Sequence, residues 1–227
     1  MKKVVRSRSR VKRSKKTTTK NKFFYFFCKR ITDIIFSLLG LLVLIPVIII
    51  VKIAYMLSGD FEKIFFTQER IGLNGKTFKL YKFRTMVPNA DAVLEEILKK
   101  DKALAKEYKI NKKLKDNPRI TKIGKIIRKT SIDELPQILN ILKSDMALIG
   151  NRPYLPREIE DMGEYYDDII KTKPGLTGYW QVSGRNNVTF EHRLQLEKYY
   201  SNTCSLIFDL KIFFKTFIVV LKCIGSE

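Results

Sequence analysis

The stretch IIFSLLGLLVLIPVIIIV, Ile34 to Val51, is eighteen residues without a charge, and its reading decides what fold the rest of the chain can make. A straight helix of that length reaches about 27 Å, near the lower limit for crossing a bilayer core. Pro46 removes the N–H that would bond the carbonyl of Leu42 and drives its ring against that turn, so a kink is expected there and the segment can enter and return. Lys22, Lys29 and Arg30 precede it and Lys52 and Lys63 follow, so the positive-inside tendency draws both flanks to the cytoplasmic side. A Pro-kinked re-entrant membrane helix within 23–57 satisfies both flanks. A single-pass helix is the competing reading, and a signal peptide is disfavoured by a thirty-residue basic lead with no clear small-residue cleavage site before Ser58.

Residues 1–22 hold eleven of the 44 Lys and Arg and no acid, which leaves 33 basic against 23 acidic residues in the remainder of a chain of net charge +21. A like-charge block rich in Ser and Thr cannot bury enough apolar surface to fold, so 1–22 is expected to be a disordered basic tail able to attract nucleic acid or anionic lipid. The length beyond the anchor, 58–227, suits one domain with a real core. Cys28, Cys204 and Cys223 are odd in number and widely spaced. That is unlike a disulfide framework or a zinc site, and they read as free thiols.

From Phe65 to Phe83 the chain reads as a β-hairpin about Asn74-Gly75, the dipeptide that best accommodates positive φ in a type I′ turn. Phe78 and Leu80 share one face of the returning strand. If the strand continues, Lys82 and Arg84 join them inside, where a cation needs an anion. Either it ends at Tyr81 or this is an anion site. Residues 90–110 carry apolar positions at helical spacing and are expected to form one amphipathic helix, with further helices ending at Arg128-Lys129 and spanning 156–171. Leu206 to Ile224 is apolar apart from Asp209, Lys211, Lys215 and Lys222. Its three lysines share a face, as in a helix lying in the membrane interface. The fold class is thus helix-rich α+β, a single cytoplasmic domain with interfacial amphipathic helices behind the anchor.

Ser131-Ile132-Asp133-Glu134-Leu135-Pro136-Gln137 sets two adjacent carboxylates among cations. A capping box, with Ser131 at the N-cap and Glu134 at N3, is the plain explanation. Pro136 opposes it, because at the fifth helical position an N–H is already wanted, whereas proline at the first costs nothing. The helix is expected to start near Pro136, with Asp133 and Glu134 on the turn before it, open to a ligand as nucleophile or metal ligand. Ala147 to Pro153 is a short apolar strand opening into a turn around Arg152, whose planar fork suits a diphosphate, although a turn arginine is usually only solvated. Lys173 to Asn186 contains three glycines, Trp180, Gln181 and Arg185. Such a loop could contact a sugar or base, or simply fix Trp180 in the core. His192, the sole histidine, reads as a surface residue.

Several blocks together resemble a known family: the anchor with its central proline, Phe66-Thr67-Gln68-Glu69-Arg70-Ile71-Gly72, Lys82-Phe83-Arg84-Thr85-Met86, Asp133 to Gln137, Arg152-Pro153, Pro174 to Arg185, and Asp209-Leu210-Lys211-Ile212. They look like the bacterial sugar transferases, the monotopic polyprenyl-phosphate sugar-1-phosphate transferases, of the undecaprenyl-phosphate hexose phosphotransferase type. The resemblance runs in order from about Phe23 to Lys222.

That resemblance implies transfer of a sugar-1-phosphate from a UDP-sugar to undecaprenyl phosphate, giving a lipid diphosphate sugar and UMP, at the cytoplasmic face of the bacterial inner membrane, as the first membrane step of exopolysaccharide, capsule or other surface-glycan assembly. It implies Asp133 as the nucleophile of an aspartyl-phosphosugar intermediate and Glu134 as its neighbour associated with Mg²⁺. Lys82, Arg84, Arg128 and Arg152 match the family's basic positions, and Gln181 and Arg185 fall in its sugar or nucleotide loop. The expected partners are the UDP-sugar, undecaprenyl phosphate and a membrane with anionic lipids; nucleic acid is not expected, and a homodimer is left open. Ile45 stands where a serine is often found, Asn151 where a proline would stiffen the turn before Arg152, and Cys204 where a tryptophan is frequent. The four-helix membrane region ahead of some such domains has no counterpart here, so a catalytic core alone is expected. Two other classes compete: a basic membrane-tethered or nucleic-acid-binding protein without catalysis, and a magnesium-dependent phosphatase acting on lipid diphosphate.

Overall fold

A computed structural model describes residues 19–111, 114, 116–184 and 188–221; the basic tail up to residue 18, Arg185 and the segment from Lys222 onward, with Cys223, lie outside the described residues. Helices dominate, with two small sheets, an α+β arrangement. Helix α1 spans Thr19–Leu57 and continues through Pro46 as one element, so the expected kink does not divide it. Pro46 lies on the exposed side of the helix. By length and composition Lys22–Leu57 could cross a membrane, and with 17% of its most apolar window buried it is no soluble core helix.

One side of α1 nevertheless lies along the rest of the molecule. Tyr25, Asp33, Ser37, Leu44, Val51 and Tyr55 are buried, a narrow seam whose spacings of four, seven and eight residues keep step with the helical repeat. Near its start Tyr25 donates to Asp209 at 2.9 Å, Lys29 pairs with the same carboxylate, and the guanidinium of Arg30 grips the carbonyls of Ile141 and Leu142 at 2.7 and 2.8 Å. Asp33 accepts from the amide of Leu148 at 2.7 Å. Thirty residues further on, the Tyr55 hydroxyl donates to the carbonyl of Arg84. Midway, Gly40 lets α1 close on Ile138: a Cβ there would sit 2.5 Å from that side chain. The opposite face, including Phe27, Leu38, Leu42, Ile45, Ile49 and Ile53, is exposed.

After α1 come strands β1 (Phe65–Ile71) and β2 (Thr77–Phe83), antiparallel with Phe65 opposite Phe83 and Ile71 opposite Thr77. The turn is as expected: Asn74 and Gly75 have φ of 55° and 78°, and Lys76 donates to the carbonyl of Leu73 at 3.2 Å. The strand runs past Tyr81 to Phe83, so Lys82 does face inward.

The expected helix over 90–110 is two, α2 (Ala90–Lys100) and α3 (Lys102–Asn111). Asp101 breaks the helix with an extended backbone, and its carboxylate accepts from the amides of Ala103 and Leu104 at 2.8 and 3.0 Å, an N-cap for α3. Helix α4 (Lys122–Lys129) ends in Arg128 and Lys129 as expected, capped by Thr121. A 3₁₀ turn over Ile132–Gln137 then leads into α5 (Ile138–Leu142), strand β3 (Ala147–Ile149), the short helices α6 (Ile159–Met162) and α7 (Tyr166–Ile169), strand β4 (Gly175–Thr177), α8 (Tyr179–Ser183), α9 (Phe190–Thr203) and α10 (Leu206–Leu221). The helix expected over 156–171 is fragmented at Gly163, whose φ of 48° interrupts the α-helical backbone. β3 and β4 pair in parallel. They approach so closely beyond Ile149 that a Cβ on Gly175 would lie 2.0 Å from the amide of Gly150, so only glycine fits.

Lys211 and Lys215 on α10 are exposed, with Ile207, Leu210, Phe214 and Phe217 exposed beside them. Asp209 turns inward instead, where Tyr25, Lys29 and Tyr200 surround it. Cys28 and Cys204 are free thiols.

Candidate active site

The two carboxylates sit inside the 3₁₀ turn, which begins at Ile132, four residues before the expected start at Pro136. The tighter turn carries Pro136 within it, and Ser131, with φ of 57° and no side-chain capping bond, is not the head of a capping box. Ile132 and Leu135 face the other way. They pack on a core built from Leu44, Val51 and Tyr55 of α1, Phe83 of β2 and Ile127 of α4. The acidic turn is therefore wedged between the apolar helix and the hairpin.

Lys82, one residue before Phe83 and on the opposite side of the strand, meets the acids. Its Nζ lies 2.9 Å from Glu134 Oε1 and 3.7 Å from Asp133 Oδ2. This is the anion that an inward lysine requires, supplied by the protein itself. Burial pushes the Asp133 carboxyl above its usual range, Lys82 opposes that shift, Glu134 adds to it and Arg128 opposes it again. Asp133 is thus a desolvated carboxylate held next to cations, with 14% of its side chain exposed. Arg128, at the end of α4, donates from Nε to Thr85 Oγ1 at 2.9 Å, which orients its guanidinium.

Arg84 goes elsewhere. It pairs with Asp60 at 2.7 Å, donates to the carbonyls of Lys63 and Met86, and lies 4.7 Å from the ring centre of Tyr55. That hydrogen bond holds the Asp60 carboxyl below its ordinary value. Arg84 joins the end of α1 to the hairpin, while Lys82 alone of the two reaches the acidic pair.

Arg152 emerges from the turn after β3. Asn151, in place of a stiffening proline, is buried with its Nδ2 at 3.1 Å from Ile169 O, 3.1 Å from Thr172 Oγ1 and 2.7 Å from Ser201 Oγ, so the turn is anchored by hydrogen bonds instead. Trp180 is buried, with Arg193 stacked 4.5 Å from its ring centre; the loop fixes it in the core. Gln181 donates to the carbonyl of Leu176 at 3.3 Å. His192 is exposed.

Three residues were missed in the sequence. Arg70 donates to Pro153 O at 2.8 Å and to Gln68 at 2.6 Å, and burial, helped by Arg152, pushes its guanidinium down to about 10. Arg193 and Glu197 lie on the inward face of α9. The spacing of Glu197 from Leu194 and Tyr200 would have revealed its direction, though not its partner. Burial pushes its carboxyl up to about 7. The Nε atoms of Arg70, Arg152 and Arg193 are all buried without a hydrogen-bond partner among the described residues.

Among the described residues no cluster of three or more His, Cys, Asp or Glu could hold a metal unaided. Two adjacent carboxylates do suit Mg²⁺, which is commonly bound by one or two carboxylates together with substrate phosphates. A desolvated carboxylate, a lysine 3.7 Å from it and the oriented guanidinium of Arg128 are the groups that nucleophilic attack at a phosphoryl group would use.

The chain belongs to the bacterial sugar transferase family, which it matches over residues 24–223. It is therefore an enzyme of that class. It is 41% identical over 198 residues to the exopolysaccharide production protein ExoY of Sinorhizobium fredii, covering 87% of each chain. It is 42% identical to the undecaprenyl-phosphate galactose phosphotransferase of Salmonella typhimurium, over 88% of this chain and 42% of that protein. Against the UDP-glucose:undecaprenyl-phosphate glucose-1-phosphate transferase of Escherichia coli it is 33% identical, over 83% of this chain and 39% of that protein. The chain thus spans less than half the length of these last two relatives.

Proposed function

We propose that this protein moves a sugar-1-phosphate from a UDP-sugar to undecaprenyl phosphate, releasing UMP and forming a lipid diphosphate sugar that begins a surface glycan. The observation that carries the proposal is the seat of Asp133: desolvated, 3.7 Å from Lys82, on a turn whose other side packs on the apolar helix. A carboxylate oxygen of Asp133 attacks the phosphorus that bears the sugar, and the P–O bond to UMP breaks. The phosphate oxygen of the lipid then attacks the same phosphorus, the aspartyl bond breaks, and Asp133 is regenerated. Lys82 and Arg128 neutralise the phosphoryl oxygens as charge spreads over them, and Arg152 receives the diphosphate through its planar fork. Glu134, together with the donor phosphates, would hold Mg²⁺, which would supply further charge neutralisation. Names of relatives that include galactose and glucose transfer favour a hexose donor.

The same reading puts α1 in the membrane as an anchor whose two ends stay on the cytoplasmic side. Its support is the packing: Tyr25 and Tyr55 both engage the one domain, so an α1 that crossed the bilayer would pull that domain in with it. The exposed apolar faces of α1 and α10 supply what inserts. The test is UMP release by purified protein with undecaprenyl phosphate and a panel of UDP-sugars. Release requiring one UDP-hexose supports the proposal; a lipid phosphatase would release inorganic phosphate from lipid diphosphate with no nucleotide sugar present.

A further inference from the structure

The turn that carries Arg152 is held at three consecutive residues, while its guanidinium donates no hydrogen bond and forms no ion pair among the described residues. Asn151 is tied through its side chain to Ile169, Thr172 and Ser201. The amide of Arg152 donates to Glu197 Oε1 at 2.8 Å. Pro153 accepts from Arg70 Nη1 at 2.8 Å. The Arg152 guanidinium is left 5.9 Å from the ring centre of Tyr154, its Nε buried and without a hydrogen-bond partner among the described residues. A backbone fixed this completely around a guanidinium whose N–H donors have no hydrogen-bond acceptor among the described residues is the arrangement that pre-orders a ligand-binding side chain.

Glu197 is the unusual member. It is 1% exposed, its Oε1 accepts from a backbone amide, and the Tyr154 hydroxyl faces the same carboxylate, with no side-chain ion pair to it among the described residues. A carboxylate buried among arginines would ordinarily be expected on a guanidinium. Here Oε1 grips the chain at the Arg152 amide and acts on the Arg152 guanidinium only through space, which leaves that guanidinium's N–H donors to an incoming anion. We propose that Glu197 is a positioning residue for phosphate binding: through the Arg152 amide it sets where the Arg152 guanidinium meets the diphosphate of the donor, with Arg70 as the second clamp on the same turn. This rests on the reading of the protein as a transferase that uses a nucleotide diphosphate sugar. Burial of the Glu197 carboxyl agrees with the geometry, since an amide is an acceptable donor to either of its protonation states.

A double-mutant cycle separates this role from mere support of the fold. With the full chain in detergent or lipid nanodiscs, kcat and KM for the UDP-sugar are measured for E197M, E197D, E197Q, R152A and R152A combined with E197M. Acting through Arg152, E197M should raise KM roughly tenfold or more with a smaller change in kcat, E197Q should recover most of the loss, and E197M should add less than about threefold to R152A. Hydrogen exchange should show the Arg152 amide losing protection in E197M while amides of β1 and β3 keep theirs. If E197M does not fold, E197D, which withdraws the acceptor by one methylene, takes its place in the cycle. Losses that multiply in the combined variant, or unchanged KM per folded enzyme in E197M and E197D, overturn the proposal. A wild-type protein that releases no UMP from any UDP-sugar overturns the underlying reading instead, a different outcome from a failed cycle.

Discussion

Asp133 carries two opposed demands. Its burial raises the carboxyl above its ordinary range, so the folded protein holds that proton more tightly than the unfolded chain does. Stability from this group is therefore present at low pH and is lost as pH rises through the folded value. D133N removes both the nucleophile and the penalty: turnover should fall by several orders of magnitude while Tm near neutral pH rises, read by UMP release and thermal unfolding. A lower Tm in D133N would mean that Lys82 and Arg128 outweigh burial. Glu197 follows the same sign over a defined pH window. Its carboxyl moves from 4.5 unfolded to about 7 folded, so the wild type should lose stability relative to E197Q between those pH values, by up to about 3 kcal/mol at pH 8. At the positions of Lys82 and Arg152 the chemistry of the cation matters: R152K keeps the charge and loses the fork, and its kcat/KM should fall further than that of K82R. The acidic pair stood out as two adjacent carboxylates ahead of Pro136, and Lys82 as an inward lysine that demands an anion if its strand runs past Tyr81; that each is the other's partner was not legible. Nor was Glu197, because its partner is a backbone amide 45 residues away, and no side-chain pattern encodes that.

At the scale of elements, local signals carried furthest. Asn74-Gly75 specifies its turn through positive φ, and α4 is bounded by Thr121 and by its terminal cations. Where long apolar periodicity was read alone it merged neighbours: Asp101 is a cap inside an apparently continuous stripe, and Gly163 is a break in another. D101A should cost about 1 kcal/mol, measured by denaturant unfolding, with kcat unchanged. The docking of α1 was invisible to periodicity because between Leu38 and Val51 its exposed and buried faces are both apolar, and the polar docking residues Asp33 and Ser37 stand outside that run. Gly40 is the place to test it. A leucine there must displace Ile138, so G40L should loosen α1 from α5, and through the Leu135 and Leu139 side of the same core it should lower kcat as well as stability.

For the whole molecule, the arrangement of α1 along the domain links membrane attachment to catalysis. Both ends of α1 and the acidic turn belong to one packed body, so on the proposed function membrane attachment would hold the acidic turn at a fixed distance from the lipid acceptor. In a background with Cys28, Cys204 and Cys223 replaced by serine, S7C and S58C should both resist an impermeant thiol reagent in intact cells and react once the membrane is opened. Labelling of S7C from outside would require α1 to span. The central claim is the covalent step on Asp133, and the most direct measurement omits the acceptor. Purified protein is mixed with the UDP-sugar that supports turnover and with no undecaprenyl phosphate, then quenched, digested and examined by mass spectrometry. The account predicts up to one UMP per enzyme and a hexose-phosphate adduct on the peptide containing Asp133, lost on addition of undecaprenyl phosphate and absent from D133N. UMP released only when the lipid is present, with no adduct at any time, would contradict it and require direct attack by the lipid phosphate.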